Sequence, residues 1–562
     1  MENAEVVEVL TEMADVLEVT GGNRFKVRAY RQAAQVLDTL ALPVSELWRL
    51  GKLTELPGIG ERIAEHIGRL LETGTFPEHD RLMAKVPAGV RELLAIEGVG
   101  PKTVQAVWKQ LGVADVDAFE VACRDGRLEA LPRMGPTRVA AILEAIGRYR
   151  ARRGRVQLHR ALPYAESILS KLRMVPGVHR AEAAGSVRRR KETVGDIDLL
   201  VAADAAEPVM RAFAQLAEVA QVLAVGPTKS SARLRTGLQV DVRVLPVQSF
   251  GAALHYFTGS KAHNIELRTR AVRKGLKVSE YGVFDREGRR LSGEDEADVF
   301  SAVGLPWIPP ELREGAGELE AAEEGRLPKL IEEGDVQGDL HVHTKASADS
   351  RATLEEVVQE ARRLGRKYVA ITDHSKSRPL GLDAEGVRRH AQEVRAFNAR
   401  LRGGARLLTG VEVDILPDGS LDLPDDALAA VDVVVASVHT RFRAPRKEMT
   451  ERVVRALRSG QVDILGHPSG RQLGARDASD VDFDQVLAAA REEGVALEVN
   501  AMPERLDLSD KECRRAKDAG VKVAINSDAH VAEQLENLRY GVWVARRGWL
   551  EKGDVINTRP FR

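Results

Sequence analysis

Gly185-Ser186-Val187-Arg188-Arg189-Arg190-Lys191-Glu192-Thr193-Val194-Gly195-Asp196-Ile197-Asp198-Leu199-Leu200 decides how the middle of this chain folds. The apolar run from Val194 to Ala202 predicts a strand. Asp196 and Asp198 stand at i and i+2 on it, so strand alternation puts both carboxylates on one face. Two carboxylates side by side repel unless a divalent cation sits between them. A third acid, Asp241, lies in a second strand-like run, Leu238 to Leu245. If the two strands pair, three oxygen donors converge into a hard-ligand site for two Mg2+ or Mn2+ ions, suited to in-line phosphoryl transfer. Ser186 and Arg189, just upstream, can hydrogen-bond phosphate oxygens, Arg189 bidentately.

N-terminal to this stretch, residues 1 to about 149 predict short helices joined by glycine turns. Leu56-Pro57-Gly58-Ile59-Gly60 precedes Glu61-Arg62-Ile63-Ala64-Glu65-His66-Ile67, and Ile96-Glu97-Gly98-Val99-Gly100 precedes Pro101-Lys102-Thr103. Leu131-Pro132-Arg133-Met134-Gly135 is a degenerate third copy, with Arg133 in place of the first glycine. Paired glycines let the backbone take conformations closed to other residues, and the N–H groups that converge at the following helix favour a phosphate oxygen. The turns resemble the helix-hairpin-helix motif, a binder of the DNA backbone that ignores sequence. Arg148, Arg150, Arg152, Arg153, Arg155 and Arg160 follow with no acid between them, and Arg188 to Lys191 form a second basic cluster. Local basic density of this kind is what a phosphate backbone responds to.

C-terminal to the opening stretch, Trp307-Ile308-Pro309-Pro310 breaks the chain, and Glu311 to Gly334, rich in Glu and Gly, predicts a linker with some helix. Beyond it, strand-like and helical segments alternate, which predicts an α/β domain. Imidazoles and carboxylates recur near the ends of successive apolar runs: His341 and His343, Asp349, His374, Glu412, His439, His467, Asp528 and His530. The chain has 13 histidines, and six of them occupy these positions. A lone histidine is usually structural, whereas a succession at strand C-termini is the layout of a barrel active site. The mixed donors suit Zn2+, Mn2+ or Fe2+.

Gly-Ser followed by an Arg pair and Gly-Asp-x-Asp is the signature of the nucleotidyltransferases. Tyr256-Phe257-Thr258-Gly259-Ser260 resembles the family-X DNA polymerase motif at the incoming nucleotide, and Asn264 and Arg268 follow at the spacing where that family contacts the base pair. Residues 335 to 562 resemble the polymerase-and-histidinol-phosphatase (PHP) domain. The resemblance implies a multidomain chain: an α-helical N-terminal part with helix-hairpin-helix motifs (1–80 and the fingers, 81–149), an α/β palm (150–246), a thumb-like nucleotide-selection subdomain (247–315), a linker (316–334) and a distorted, TIM-like β/α barrel (335–562). It implies Asp196, Asp198 and Asp241 as catalytic metal ligands. Nucleotide contacts would come from Gly185, Ser186, Arg189, Gly195, Tyr256, Phe257, Gly259, Ser260, Lys261, Asn264 and Arg268. DNA contacts would come from Arg24, Lys26, Arg28, Gly58, Gly60, Arg62, Gly98, Gly100 and Lys102. In the barrel it implies three divalent metals: one on His341, His343, Glu412 and Asp528, a second on bridging Glu412 with His439 and His467, a third on Asp349, His374 and His530. Two departures matter. His66 stands where eukaryotic relatives carry a Schiff-base lysine, and imidazole forms no such imine. Lys261 replaces an acid.

The implied enzyme is a DNA-directed DNA polymerase that fills short gaps in repair, joined to a metal-dependent 3′-5′ exonuclease or 3′-end-processing phosphoesterase. Its partners would be gapped or primer-template DNA and dNTPs, and it would act as a monomer. The alternatives are a polymerase whose second domain is a small-molecule phosphatase, or one whose metal cluster is purely structural. Composition bounds these readings. A length of 562 residues implies several domains, and 44% hydrophobic with 30% charged residues excludes wholesale disorder. The two cysteines, Cys123 and Cys513, lie far apart, which argues against a disulfide framework. The acidic N-terminus lacks the pattern of a signal peptide and no stretch is long and apolar enough to span a bilayer, so a cytoplasmic protein with no membrane partner is expected.

Overall fold

The computed structural model describes residues 3–38, 44–132, 134–152, 154–378 and 381–560. Arg133 and Arg153, singled out above, lie outside them. The chain divides into two compact units, Met1–Arg153 with Ala348–Arg351, and Gly154–Ser347 with Ala352–Arg562.

The first unit is helical. In α1 (Asn3–Val19), Val6, Leu10, Met13 and Ala14 repeat at helical spacing and are buried against α2 (Arg24–Asp38). The two complete glycine turns have one geometry. Gly58 and Gly98 take φ of +83° and +77°, a region other residues avoid. Ile59 and Val99 plug the core behind them. Gly60 and Gly100 are the N-caps of α3 (Glu61–Thr73) and α4 (Pro101–Leu111), both extended at φ near −84°. Only the first glycine of each pair is therefore demanded by backbone conformation. The helix that follows, α5 (Pro136–Arg152), carries the basic cluster, and acids distant in sequence neutralise part of it. Arg148 pairs with Glu97, and also with Glu144 one turn earlier on its own helix, and Arg150 pairs with Asp117 and Glu120.

The second unit holds two sheets that carry chemistry. The palm sheet comprises β1 (Val178–Ala183), β2 (Asp196–Ala203), β3 (Val219–Val225), β4 (Lys229–Leu234) and β5 (Gln239–Leu245), in the order β1-β2-β5-β4-β3. The two strands expected from the sequence, β2 and β5, are neighbours and run parallel, with Asp198 directly opposite Asp241. Helix α6 (Leu158–Arg173) covers one face through Leu162, Ile168 and Leu172. The short helix α7 (Gly185–Arg188) leads from β1 into the basic loop. Helices α8 (Phe250–Thr258) and α9 (Lys261–Arg273) follow β5.

The barrel comprises β6 (Gly338–Val342), β7 (Tyr368–Ile371), β8 (Arg406–Asp414), β9 (Val433–Ser437), β10 (Ile464–Leu465), β11 (Ala496–Asn500) and β12 (Val523–Asn526), all parallel and paired in sequence order. A bridge between Val342 and Ala529 brings the first strand against the chain leaving the last, so the sheet curls into a nearly closed barrel. Val433-Val434-Val435-Ala436-Ser437 is buried throughout, as parallel strands covered on both faces must be. The stretch expected as a linker is packed instead. It contains α10 (Glu318–Glu323), whose Leu319, Ala321 and Ala322 join one core with Phe300, Leu312 and Leu330. Among the described residues no helix is long and apolar enough to cross a membrane.

Candidate active sites

At the palm edge, Asp196 is exposed, Asp198 half-buried and Asp241 buried. Burial, with Asp196 and Asp241 close by, pushes the Asp198 carboxyl up to about 6. Asp241 is held below its ordinary range despite burial. Lys229 Nζ stands 2.6 Å from it, and Gln239 Nε2 donates to it at 3.0 Å. Gly185 (φ +57°) lies over this cluster, and a Cβ there would come 2.4 Å from an Asp198 carboxylate oxygen, so the close approach requires glycine. An oxygen-only donor set whose members raise one another's proton affinity fits hard divalent cations. The three acids are nonetheless less tightly gathered than the barrel ligands. Among the described residues, every trio of metal-binding side chains with ligand atoms within 4.8 Å lies in the barrel.

The remaining nucleotide residues surround this edge unevenly. Ser186 and Gly195 flank the acids in sequence, and Arg155, not singled out from sequence as a site residue, donates to Thr193 Oγ1 at 3.0 Å and lies against Gly195. Arg189 is engaged within the protein: Nε donates to Glu314 at 2.9 Å, and NH1 donates to the Thr258 carbonyl. Tyr256 and Phe257 end α8, with Arg243 stacked 4.3 Å over the Phe257 ring. Gly259 (φ +68°) makes the turn, and Ser260 caps α9 by accepting from His263 N–H. Asn264 donates to the Tyr256 carbonyl at 2.7 Å, while Lys261 and Arg268 are exposed on α9.

In the helical unit, Arg24, Lys26, Arg28 and Lys102 are exposed, and Arg62 reaches Glu78 at 3.3 Å. His66 is 4% exposed. Its Nδ1 lies 2.8 Å from the Tyr30 hydroxyl and its ring stacks on Phe76 with centroids 4.5 Å apart. Burial holds this imidazole below its ordinary range. It is a packed, buried imidazole.

In the barrel, six of the seven parallel strands, all but β11, lead at their C-terminal ends into an expected ligand, and three trios result: His341, His343 and Asp528; His374, Glu412 and His439; His343, His374 and His530. Glu412 is the hub. One of its oxygens lies 3.0 Å from His467 Nε2 and 3.2 Å from His439 Nε2, the other 2.7 Å from His374 Nδ1. Burial would raise this carboxyl, but His439, His374 and His341 hold it well below its ordinary range. His341 Nε2 makes no hydrogen bond and faces the Glu412 and Asp528 carboxylates at 3.5 Å each. A buried imidazole nitrogen aimed between two carboxylates fits a divalent cation. The third trio brings His343 beside His374 and His530, the pair expected to share a metal with Asp349.

Buried groups behind the ligands were not singled out from the sequence. Glu498, fully buried, accepts from His341 Nδ1 at 2.8 Å, His467 N–H at 2.7 Å and Asn526 at 2.9 Å. Asp414 meets His439 Nδ1 at 2.5 Å. Such partners fix the tautomer and orientation of a metal-binding imidazole. The signal for Glu498 was present: Leu497-Glu498-Val499 repeats the pattern of Val411-Glu412-Val413, a carboxylate inside an otherwise apolar strand.

Sequence models of known families match the chain in four places: helix-hairpin-helix domain at 1–76, helix-hairpin-helix tandem at 90–148, DNA polymerase beta thumb at 253–314 and PHP domain at 339–502. The DNA polymerase/3′-5′ exonuclease PolX of Bacillus subtilis (strain 168) is 36% identical over 567 aligned residues, spanning 100% of this chain and 98% of that protein. The chain belongs to the PolX family. Its members join a family-X polymerase to a PHP domain, which is the architecture described above. Probable phosphatases of Shewanella oneidensis and Citrobacter koseri are 32% and 33% identical, but over only 40% of this chain, covering 88% and 91% of their own lengths.

Proposed function

We propose that this protein fills short gaps in DNA at the palm site and processes 3′ ends in the barrel, two reactions of one repair enzyme. The observation that carries the polymerase half is Asp198 opposite Asp241 on parallel strands, beneath Gly185. Asp196, Asp198 and Asp241 would hold Mg2+ or Mn2+, which when bound supplies Lewis acidity toward the 3′-hydroxyl and the phosphates. Ser186 and Arg189 would bind triphosphate oxygens, with Gly195 leaving room for them. Tyr256, Phe257, Gly259, Ser260 and Lys261 would shape the nucleotide pocket, and Asn264 and Arg268 would meet the base pair. Gly58, Gly60, Gly98 and Gly100, with Arg24, Lys26, Arg28, Arg62 and Lys102, would hold the DNA backbone.

In the barrel, His341, His343, Asp349, Glu412, Asp528, His374, His439, His467 and His530 would hold Zn2+, Mn2+ or Fe2+, which when bound supplies a hydroxide at neutral pH. Glu498 and Asp414 orient the imidazoles. The match of the barrel to probable phosphatases favours a second reading, a small phosphate ester as the substrate. One experiment separates them: gapped DNA labelled at the 5′ or the 3′ end, with Mn2+, with and without dNTPs, beside a small phosphomonoester. Extension with dNTPs and shortening without them supports the proposal. Turnover of the phosphomonoester with intact DNA supports the alternative.

A further inference from the structure

The loop that carries Arg189 is gripped from the barrel side at successive residues. Helix α11 (Leu538–Arg547) follows the ligands Asp528 and His530, and its last residue, Arg547, is buried. Arg547 NH1 donates to the Arg189 carbonyl at 2.9 Å and to a Glu314 oxygen at 3.1 Å, and NH2 donates to Asp510 at 2.5 Å. The Arg190 guanidinium (φ +53°) stacks 4.1 Å over the Trp543 ring of the same helix. Arg471 donates to Glu192 at 2.5 Å. Glu314 is the shared element, because the oxygen that accepts from Arg547 also accepts from Arg189 Nε at 2.9 Å.

We propose that Arg547, a residue of the barrel domain, is a positioning residue of the polymerase site: by sharing Glu314 with Arg189 it sets how firmly the Arg189 guanidinium is held back from an incoming triphosphate. This rests on the reading of Arg189 as a triphosphate contact. With both guanidiniums present, one carboxylate divides its attraction between them, with Lys191 as a third cation nearby. Without Arg547, a larger share of the carboxylate charge falls on Arg189, its remaining hydrogen-bonded guanidinium, in a half-buried site where such a charge-assisted pair is strong. Arg189 then has to break a tighter pair to reach the nucleotide. Asp196, Asp198 and Asp241 are untouched, so binding of the nucleotide suffers while the chemical step does not.

The test is steady-state primer extension by the full chain on gapped DNA with Mg2+. Arg547→Ala should raise the KM for dNTP about tenfold, with kcat within about twofold. Adding Glu314→Gln to it should bring KM back to within about threefold of the parent, because the competing charge is gone. Glu314→Gln alone, which leaves Arg547 in place, should lower KM or leave it unchanged. The KM for DNA should stay constant throughout. An unchanged dNTP KM in Arg547→Ala, a loss that Glu314→Gln fails to reverse, or a raised KM in Glu314→Gln alone would each overturn the proposal. Arg189→Ala serves as the control. If it leaves dNTP KM unmoved, the underlying reading of Arg189 fails; if it raises KM while Arg547→Ala does not, only the role of Arg547 fails.

Discussion

The palm acids and the barrel centre solve the same electrostatic problem in opposite ways. In the palm, three oxygen donors stand at a sheet edge with Asp196 exposed, and burial, then the charges of Asp196 and Asp241, push Asp198 up to about 6. In the barrel, the carboxylates sit among imidazoles, so Glu412 and Asp528 are held well below their ordinary range although burial opposes it. The first arrangement is incomplete until cations arrive, and its openness leaves room for the waters and phosphates that Mg2+ keeps as ligands. The second interleaves carboxylates with imidazoles, and Glu498 behind His341 and Asp414 behind His439 give the support that orients a metal-binding imidazole. The difference is one of donors: carboxylates alone crowd the palm edge, and imidazoles share the barrel centre with them.

The sharpest way to break that comparison is to remove a barrel ligand. His341→Ala or Asp528→Ala should lower phosphoester hydrolysis by roughly 10³-fold and reduce the bound metal measured by elemental analysis, with primer extension unchanged. Lost metal with hydrolysis intact would make the cluster structural. A partner behind the ligands should cost less: Glu498→Gln should lower hydrolysis or metal affinity by about 10- to 100-fold, and an unchanged rate would show that the imidazoles orient themselves.

The palm can be tested through stability. The Asp198 pKa of about 6 lies above the ordinary 3.8, so the native state binds its proton more tightly than the unfolded chain does. Stability from this group is therefore present below 3.8 and is lost as pH rises to about 6. In EDTA, Asp198→Asn should stabilise the protein at pH 8 by about 2 kcal/mol, a gain that shrinks between pH 6 and pH 4. Thermal unfolding at the two pH values decides it, and destabilisation at pH 8 would refute the assigned repulsion.

The smallest effect separates the two glycines of one hairpin. Gly98→Ala places a Cβ at φ +77° and should cost about 1 kcal/mol of stability. Gly100 is extended, and a Cβ added there would meet nothing within 4 Å. Gly100→Ala should therefore leave the melting temperature unchanged while weakening gapped DNA of every sequence alike. Sequence-dependent weakening, seen by titration of labelled duplexes, would contradict backbone recognition.

Much of this was legible in the sequence because it depends on local spacing. The i, i+2 acids of β2 and the ligands at successive strand ends follow from strand periodicity. The pairing of β2 with β5 was legible only as a condition, since register depends on the whole sheet. What escaped depends on residues far apart in the chain. The basic cluster at Arg148 and Arg150 looked free of acids, yet Glu97 and Asp117 reach it through the fold. Residues 316–334 looked like a linker because Glu and Gly dominate, although Leu319 and Leu330 suffice to anchor them. The choice between Gly98 and Gly100 as the strained position needed backbone angles that a repeat cannot show.

The central claim is that the two sites work separately. Asp196→Ala combined with Asp198→Ala removes the palm ligands and leaves every barrel ligand in place. That variant should be incubated with Mn2+ and dNTPs on gapped DNA labelled at the primer's 5′ end, and the products resolved by length. The account predicts primers that shorten at the parent rate and are never extended. Extension at the parent rate, or loss of shortening together with extension, would contradict it.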